Sequence, residues 1–133
     1  MSEIPSPAVA GAPRLILQLE GAALFAAALY AYWLTGTSWW LFLILFLTPD
    51  LSFAAYLAGP RMGALAYNAV HATVGPLALA AYGIAFGPAI LIALAMIWAA
   101  HVGFDRMLGY GLKYPTAFAD THLGRIGKSG LAQ

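Results

Sequence analysis

The stretch from His101 to Pro115 gathers groups that can perform acid-base or metal chemistry at the end of a long apolar run. Its sequence, HVGFDRMLGYGLKYP, contains a histidine, an adjacent aspartate and arginine, two tyrosines and a lysine. His101 and Asp105 are four residues apart, so on a helix they share one face. An imidazole beside a carboxylate can act as a paired acid and base or as two metal ligands. This stretch is therefore the centre of a candidate site.

Further polar side chains interrupt the other apolar segments. Asp50 follows Thr48-Pro49, and Asn68 lies three residues before His71, on the same face of a helix. An ionisable side chain inside a bilayer costs at least about 2.5–3.5 kcal/mol, so such groups are expected to face the protein interior and pair with one another. The interpretation assigns catalytic roles to Asp50, His71, His101 and Asp105 and metal-ligand roles to His71, His101 and Asp105. Substrate contacts are expected from Glu20, Asn68, Arg106, Tyr110, Lys113, Tyr114, Asp120 and His122.

The composition favours a membrane protein. The chain has 133 residues, of which 62% are apolar and 8% charged, whereas a soluble domain is about 25% charged. The net charge of +1 argues against a nucleic-acid partner, which requires a clustered basic face. There is no cysteine, which excludes thiolate metal sites and cysteine nucleophiles. Residues 1–13 lack a basic region followed by an apolar one, so they are expected to form a disordered leader and not a signal peptide.

Four apolar segments predict the fold. Each approaches the roughly 20 residues needed to cross a bilayer, and they run over 15–34, 39–57, 63–86 and 89–104. The short links between them predict an all-α, integral membrane, up-down four-helix bundle over residues 14–106. An irregular or short-helical C-terminal segment is expected over residues 107–133. Gly75-Pro76 leaves open a break in the third segment, which would give three spans and a re-entrant piece.

The charges predict the orientation. All six lysines and arginines fall on one side of the four segments: Arg14, Arg61, Arg106, Lys113, Arg125 and Lys128. The positive-inside rule places that side, and both termini, in the cytoplasm. At about 1.5 Å per residue, all the strongly polar groups then lie in the cytoplasmic half of the bundle. This distribution predicts one shared intramembrane site.

Most of the sequence resembles a known family. The segments LEGAALF, SWWLFLILFLTPDLS, YLAGPRMG, AYNAVH, HVGFDRMLGYGLKYPTAF and DTHLGRIG resemble small bacterial membrane proteins that carry a domain of unknown function, DUF4260. The resemblance covers roughly residues 15 to 127. It implies a compact multi-span protein of the bacterial cytoplasmic (inner) membrane, and it implies no catalytic residues.

The function predicted first is a small membrane enzyme that uses acid-base or metal chemistry on a hydrophobic small molecule. Carboxylates and imidazoles suit a divalent metal such as Mn, Fe or Zn. One alternative is a haem held by His71 and His101 on facing helices. Another is a non-catalytic accessory subunit or a proton or ion path. The lipid bilayer is the expected surrounding, and a homo-oligomer or larger membrane complex is an open possibility.

Overall fold

The computed structural model describes residues 8–126, and the chain in this range is mostly helical. The helices are α1 (Gly11–Leu34), α2 (Trp39–Leu45), a 3₁₀ helix (Thr48–Ala58), α3 (Pro60–His71), α4 (Val74–Phe86) and α5 (Ile90–Leu108). Two short antiparallel strands follow, β1 (Asp120–Thr121) and β2 (Gly124–Arg125). The all-α prediction is confirmed apart from this small hairpin, which the sequence did not reveal.

Three helical stretches within residues 8–126 are long and apolar enough to cross a membrane. They are α1, the stretch Trp39–Ala58 and α5. The helices α3 and α4 pass the same test only as a pair, bent by 40° at the short break between them. The described chain therefore has three candidate spans, or four if the bent pair is one span.

The helices α1 and α5 form the principal packing interface, and glycine makes their close approach possible. A Cβ atom at Gly103 would lie 2.6 Å from the backbone nitrogen of Phe25, and one at Gly21 would collide with the side chain of Arg106. Small residues at such crossings let helix backbones approach closely where apolar association alone gives little driving force. This interface fixes α5, which carries His101 and Asp105, against the rest of the protein.

The second apolar segment is broken, so its predicted single helix, 39–57, is wrong in detail. The helix α2 ends at Leu45, and the chain continues as a 3₁₀ helix from Thr48. Pro49 has no backbone N–H, and the amide of Asp50 donates to the carbonyl of Leu47 at 3.0 Å. In an α-helix that amide would donate to the carbonyl of Phe46. The Phe46 carbonyl is therefore released for another donor.

The third segment is also broken, three residues before the position that the sequence suggested. The helix α3 ends at His71 and α4 begins at Val74. Pro76 consequently lies in the first turn of α4, where its missing N–H costs nothing. The break leaves the last carbonyl groups of α3 without amide partners from a following turn.

The fourth helix extends beyond its predicted end. It begins at Ile90 and continues to Leu108, with Gly109 in the left-handed conformation at its C-terminal cap, φ 90°. Asp105 and Arg106 therefore belong to the helix and not to a loop. Residues 110–126 fold back over this end of the protein, and Leu123 is completely buried there.

The N-terminal boundary also differs from the prediction. The helix α1 begins at Gly11, so the last three residues assigned to the disordered leader are helical. The amide of Val9 donates to the carbonyl of His122 at 2.7 Å, which joins the start of the described chain to its C-terminal segment. The first seven residues of the predicted leader, 1–7, and the last seven of the predicted tail, 127–133, lie outside the described residues.

Candidate metal site

Four predicted catalytic side chains converge at one point. Asp50 comes from the 3₁₀ helix, His71 from the end of α3, and His101 and Asp105 from α5. One nitrogen or carboxylate oxygen from each lies within 4.8 Å of all the others. The two Nε2 atoms are 3.1 Å apart, and Asp50 Oδ1 is 3.2 Å from each of them. Asp105 Oδ2 lies 3.5 Å from His71 Nε2 and 3.3 Å from His101 Nε2.

The hydrogen bonds of the two imidazoles determine which nitrogens face the centre as acceptors. His71 Nδ1 lies 2.9 Å from the carbonyl oxygen of Tyr67, and His101 Nδ1 lies 2.7 Å from that of Phe46. A carbonyl can only accept, so each Nδ1–H donates. In the neutral rings, both Nε2 lone pairs then point into the same space. Lone pairs facing each other at 3.1 Å require a cation between them, either a proton or a metal ion.

The distances suit a small divalent ion. Ligands at about 2.0–2.1 Å from a tetrahedral zinc lie about 3.3–3.4 Å from one another. The five nitrogen–nitrogen and nitrogen–oxygen distances given above span 3.1–3.5 Å. Imidazole and carboxylate together suit Zn, Fe or Mn, whereas Ca²⁺ and Mg²⁺ prefer oxygen alone. The backbone carbonyls that hold Nδ1 have the role that outer hydrogen-bond partners have in metal sites.

The two helix breaks supply the acceptors that hold the site together. The Phe46 carbonyl, released at the first break, accepts from His101. At the second break, Trp98 Nε1 donates to the carbonyl of Val70 at 2.6 Å, and Arg106 Nη2 donates to that of His71 at 2.7 Å. All three donors lie on α5. The interruptions in the helices and the polar residues of α5 therefore form one connected arrangement.

Aromatic rings fix the planes of the imidazoles. The ring of Tyr67 stacks on that of His71, with centroids 3.7 Å apart and planes 9° apart. The ring of Phe46 meets that of His101 edge-on at 5.4 Å. The ring of Phe53 stacks in turn on that of Tyr67, with centroids 5.5 Å apart. Packing on several sides limits ring rotation, which keeps both Nε2 atoms directed at the centre.

The carboxylates face a cavity while the histidines are enclosed. The side chains of His71 and His101 are 0% and 1% exposed, whereas those of Asp50 and Asp105 are 32% and 14% exposed. Both aspartates line a cavity of about 330 Å³ together with Lys113. A molecule in this cavity would therefore approach the centre between the two carboxylates.

Comparison with known proteins identifies the family. The model of the family described as "Domain of unknown function (DUF4260)" matches residues 14–126. The chain is a member of the DUF4260 family. This confirms the resemblance seen in the sequence. No curated protein and no solved structure matches the chain.

Three residues that were predicted to contact substrate connect the C-terminal segment of the DUF4260 protein to the site. Asn68 forms two hydrogen bonds with the backbone of Lys113, donating to its carbonyl at 2.8 Å and accepting from its amide at 2.7 Å. Arg106 Nη1 donates to the carbonyl of Tyr110 at 2.9 Å. Lys113 Nζ donates to the carbonyl of Phe118 at 2.7 Å. Burial lowers the pKa of Lys113 from 10.5 to about 8. Tyr110 and Lys113 line the cavity, whereas Asn68 positions the chain beside it.

Of two other predicted substrate contacts, Asp120 lies in the small hairpin and Tyr114 lies beside it. Asp120 accepts a hydrogen bond from Thr116 at 2.6 Å and lies 3.5 Å from Arg125. The amide of Tyr114 donates to the carbonyl of Asp120 at 2.8 Å. Neither Tyr114 nor Asp120 lines the cavity beside the four-residue centre. Their described contacts shape the segment that covers the site.

The last two predicted residues lie away from the four-residue centre. Glu20 is exposed on α1, which corrects the expectation that every acid within the apolar segments faces inward. His122 Nδ1 accepts from the amide of Leu112 at 2.8 Å. Burial, with the nearby charge of Arg106, lowers the pKa of His122, which favours the neutral form that can accept this bond. The observed role of His122 is to hold the C-terminal segment.

Three contributors were absent from the predicted set. Tyr67 lies four residues before His71, so helical spacing alone places its ring on the face of that histidine. Trp98 lies three residues before His101 and could have been found in the same way. The released carbonyl of Phe46 has no signal in its own side chain. Its only sequence signal is Pro49, three residues later.

Proposed function

We propose that this DUF4260 protein is an integral membrane enzyme that binds one divalent transition metal through Asp50, His71, His101 and Asp105. One observation carries the proposal: both imidazoles have their Nδ1–H bound to backbone carbonyls, and their Nε2 atoms face each other at 3.1 Å. Two carboxylate oxygens complete the donor set. A buried arrangement of this kind matches the ligand chemistry of Zn, Fe or Mn.

The metal would supply a Lewis acid that polarises an oxygen atom of a substrate or of water. The protein side chains would hold the substrate in position and supply the proton acceptors. Both histidines are tied at Nδ1, so their freedom to transfer protons is restricted. Asp50 and Asp105 line the cavity, and a carboxylate oxygen not engaged by the metal could accept a proton there.

The hydrophobic nature of the substrate is supported by a second opening. An apolar groove of about 280 Å³ includes Pro49, Val70 and Trp98 in its lining. Pro49 and Val70 immediately precede the ligands Asp50 and His71 in the chain. A molecule dissolved in the bilayer could thus reach the neighbourhood of the metal without crossing the aqueous phase.

We further propose that the protein crosses the bacterial inner membrane four times, in an up-down arrangement with both termini in the cytoplasm. The bent pair α3 and α4 would form one span. Arg14 at the start of α1 donates to the carbonyl of Leu123 at 2.6 Å, so the basic start of α1 and the C-terminal segment lie together. Trp39 and Trp40 follow the opposite end of α1, where interfacial aromatics are expected. The metal site would lie in the cytoplasmic half.

The geometry favours a metal ion over the haem alternative. A haem with two histidine ligands places its macrocycle between the two imidazoles. Here the oxygens of Asp50 and Asp105 lie within 3.5 Å of both Nε2 atoms. These carboxylates fill the space around the centre that the macrocycle would need.

The test is metal binding by purified protein in nanodiscs. Elemental analysis and titration with Zn²⁺, Mn²⁺ and Fe²⁺ are expected to give one ion per chain. His101→Ala and Asp50→Asn should each weaken binding by about 100-fold or more, since even outer-partner mutations cost 10–100-fold. Glu20→Gln, which removes an exposed acid from α1, is the matched control. Equal affinity in the wild type and His101→Ala, with both monodisperse and helical, would refute the metal site.

A further inference from the structure

Lys113 is a buried cation beside the proposed metal. Lys113 is 4% exposed, and it lines the same cavity as Asp50 and Asp105. Its ammonium lies 3.6 Å from the ring centroid of Phe118 and 4.7 Å from that of Tyr67. Its hydrogen bond goes to the neutral carbonyl of Phe118. Within residues 8–126, Lys113 forms no ion pair with a carboxylate.

Arg106 is a second cation near the centre, half-buried and outside the lining of this cavity. Its two hydrogen bonds go to the carbonyls of Tyr110 and His71. Throughout the described part of the chain, its guanidinium likewise has no carboxylate partner at ion-pair distance. The charge of Asp105 acts on both cations at longer range, and that of Asp50 acts on Lys113.

Loading the site with a metal changes the charge balance. Two aspartates and one divalent ion sum to zero, which leaves the charge of Lys113 in the cavity without compensation. A buried charge is costly unless it is paired. The metal-loaded cavity is therefore short of one negative charge, whereas in the metal-free cavity the two carboxylates balance Lys113 and the proton held between the two imidazoles.

We infer that the cavity recognises an oxyanion, phosphate or carboxylate, carried by an amphiphilic substrate, and that Lys113 is its binding residue. The inference deepens the proposed function and rests on it. The ammonium would donate to the oxyanion while the apolar part of the molecule lies against the aromatic rings of Phe53 and Phe118, which also line the cavity. Recognition of the anion depends on metal loading, because the metal neutralises the aspartates.

Binding of three probes with the same alkyl chain tests this inference. Dodecyl phosphate, dodecanoate and the uncharged dodecanol are titrated into wild-type protein in nanodiscs, with and without Zn²⁺, and metal content is measured on each sample. At least one anionic probe should bind the Zn²⁺-loaded protein 10-fold or more tightly than dodecanol, and zinc removal should abolish that difference. Comparison of the phosphate with the carboxylate shows which head group the cavity prefers.

Lys113→Met should lose the preference while retaining stoichiometric zinc. Arg125→Met removes a cation that is 53% exposed at its side chain and outside the cavity, and it should keep the preference. Zinc-loaded wild type that binds all three probes equally would overturn the inference while leaving the metal site intact. Protein that takes up no metal would overturn both. If Lys113→Met fails to fold, the comparison of zinc-loaded with zinc-free wild type still decides the question.

Discussion

X-ray absorption at the zinc edge offers the most direct test of the four-ligand centre. Five of the six distances between the four donor atoms are 3.1–3.5 Å, which restricts where an ion can lie. An ion at the centre of a tetrahedron with edges of about 3.3 Å lies about 2.0 Å from each corner, which is the usual length of a zinc bond to nitrogen or oxygen. We therefore expect a first shell of nitrogen and oxygen at about 2.0 Å, with outer-shell scattering from two imidazole rings.

Substitution separates this site from adventitious zinc. In His101→Ala the outer-shell signal should fall from two imidazoles to one, because the remaining ligand histidine is His71. His122→Ala is a matched control, since it removes the one imidazole that is outside the centre and bonded to a backbone amide. Zinc bound without imidazole in the wild type, or an imidazole count unchanged in His101→Ala, would refute the proposed geometry.

Three further predictions follow from contacts around the site. Asn68→Ala removes two hydrogen bonds to the backbone of Lys113 and should destabilise the C-terminal segment by about 1–3 kcal/mol. The rate of amide hydrogen exchange should then rise over residues 110–126. An unchanged exchange rate would contradict the anchoring role of Asn68. Gly103→Ala places a Cβ atom against the backbone of Phe25 and should cost about 1–3 kcal/mol in thermal or denaturant unfolding, whereas Ala23→Leu, at an exposed position of α1, should cost little. Because burial lowers the pKa of Lys113 to about 8, the preference for anionic probes should decline as the pH rises through about 8. The unfolded chain keeps that proton up to about pH 10.4, so the contribution of Lys113 to the free energy of unfolding should rise with pH between about 8 and 10.4. A preference for anionic probes that does not change with pH would exclude Lys113 as the anion-binding group.

Hydropathy and helical spacing were enough to predict the four-residue centre. The cost of isolated charge in an apolar segment required Asp50 and His71 to find partners, and the four-residue spacing placed His101 and Asp105 on one face. The same rule failed for Glu20. Its side chain is exposed in α1, and sequence gives the helix position of a residue but not which helix face is covered by a neighbour.

The helix breaks were less accessible to sequence analysis. Pro49 indicated a weakened helix, but the length of the 3₁₀ stretch depends on packing against α3 and on the hydrogen bond between Phe46 and His101. The second break was considered at Gly75-Pro76, three residues after its actual position. Pro76 does not mark the break itself, because a proline is tolerated in the first turn of a new helix. Donors on α5, distant in sequence, stabilise the actual break.

The Nδ1 anchors of the two ligand histidines are main-chain oxygens, those of Phe46 and Tyr67. Side-chain replacement at either position leaves the acceptor oxygen in place. In metal sites whose outer partners are carboxylate side chains, exchange of those side chains adjusts affinity and reactivity. In this protein, adjustment of metal affinity and reactivity is confined to the aspartates and to the course of the backbone. Sequences that keep the two helix breaks should therefore keep the same protonated nitrogen, Nδ1, in both imidazoles.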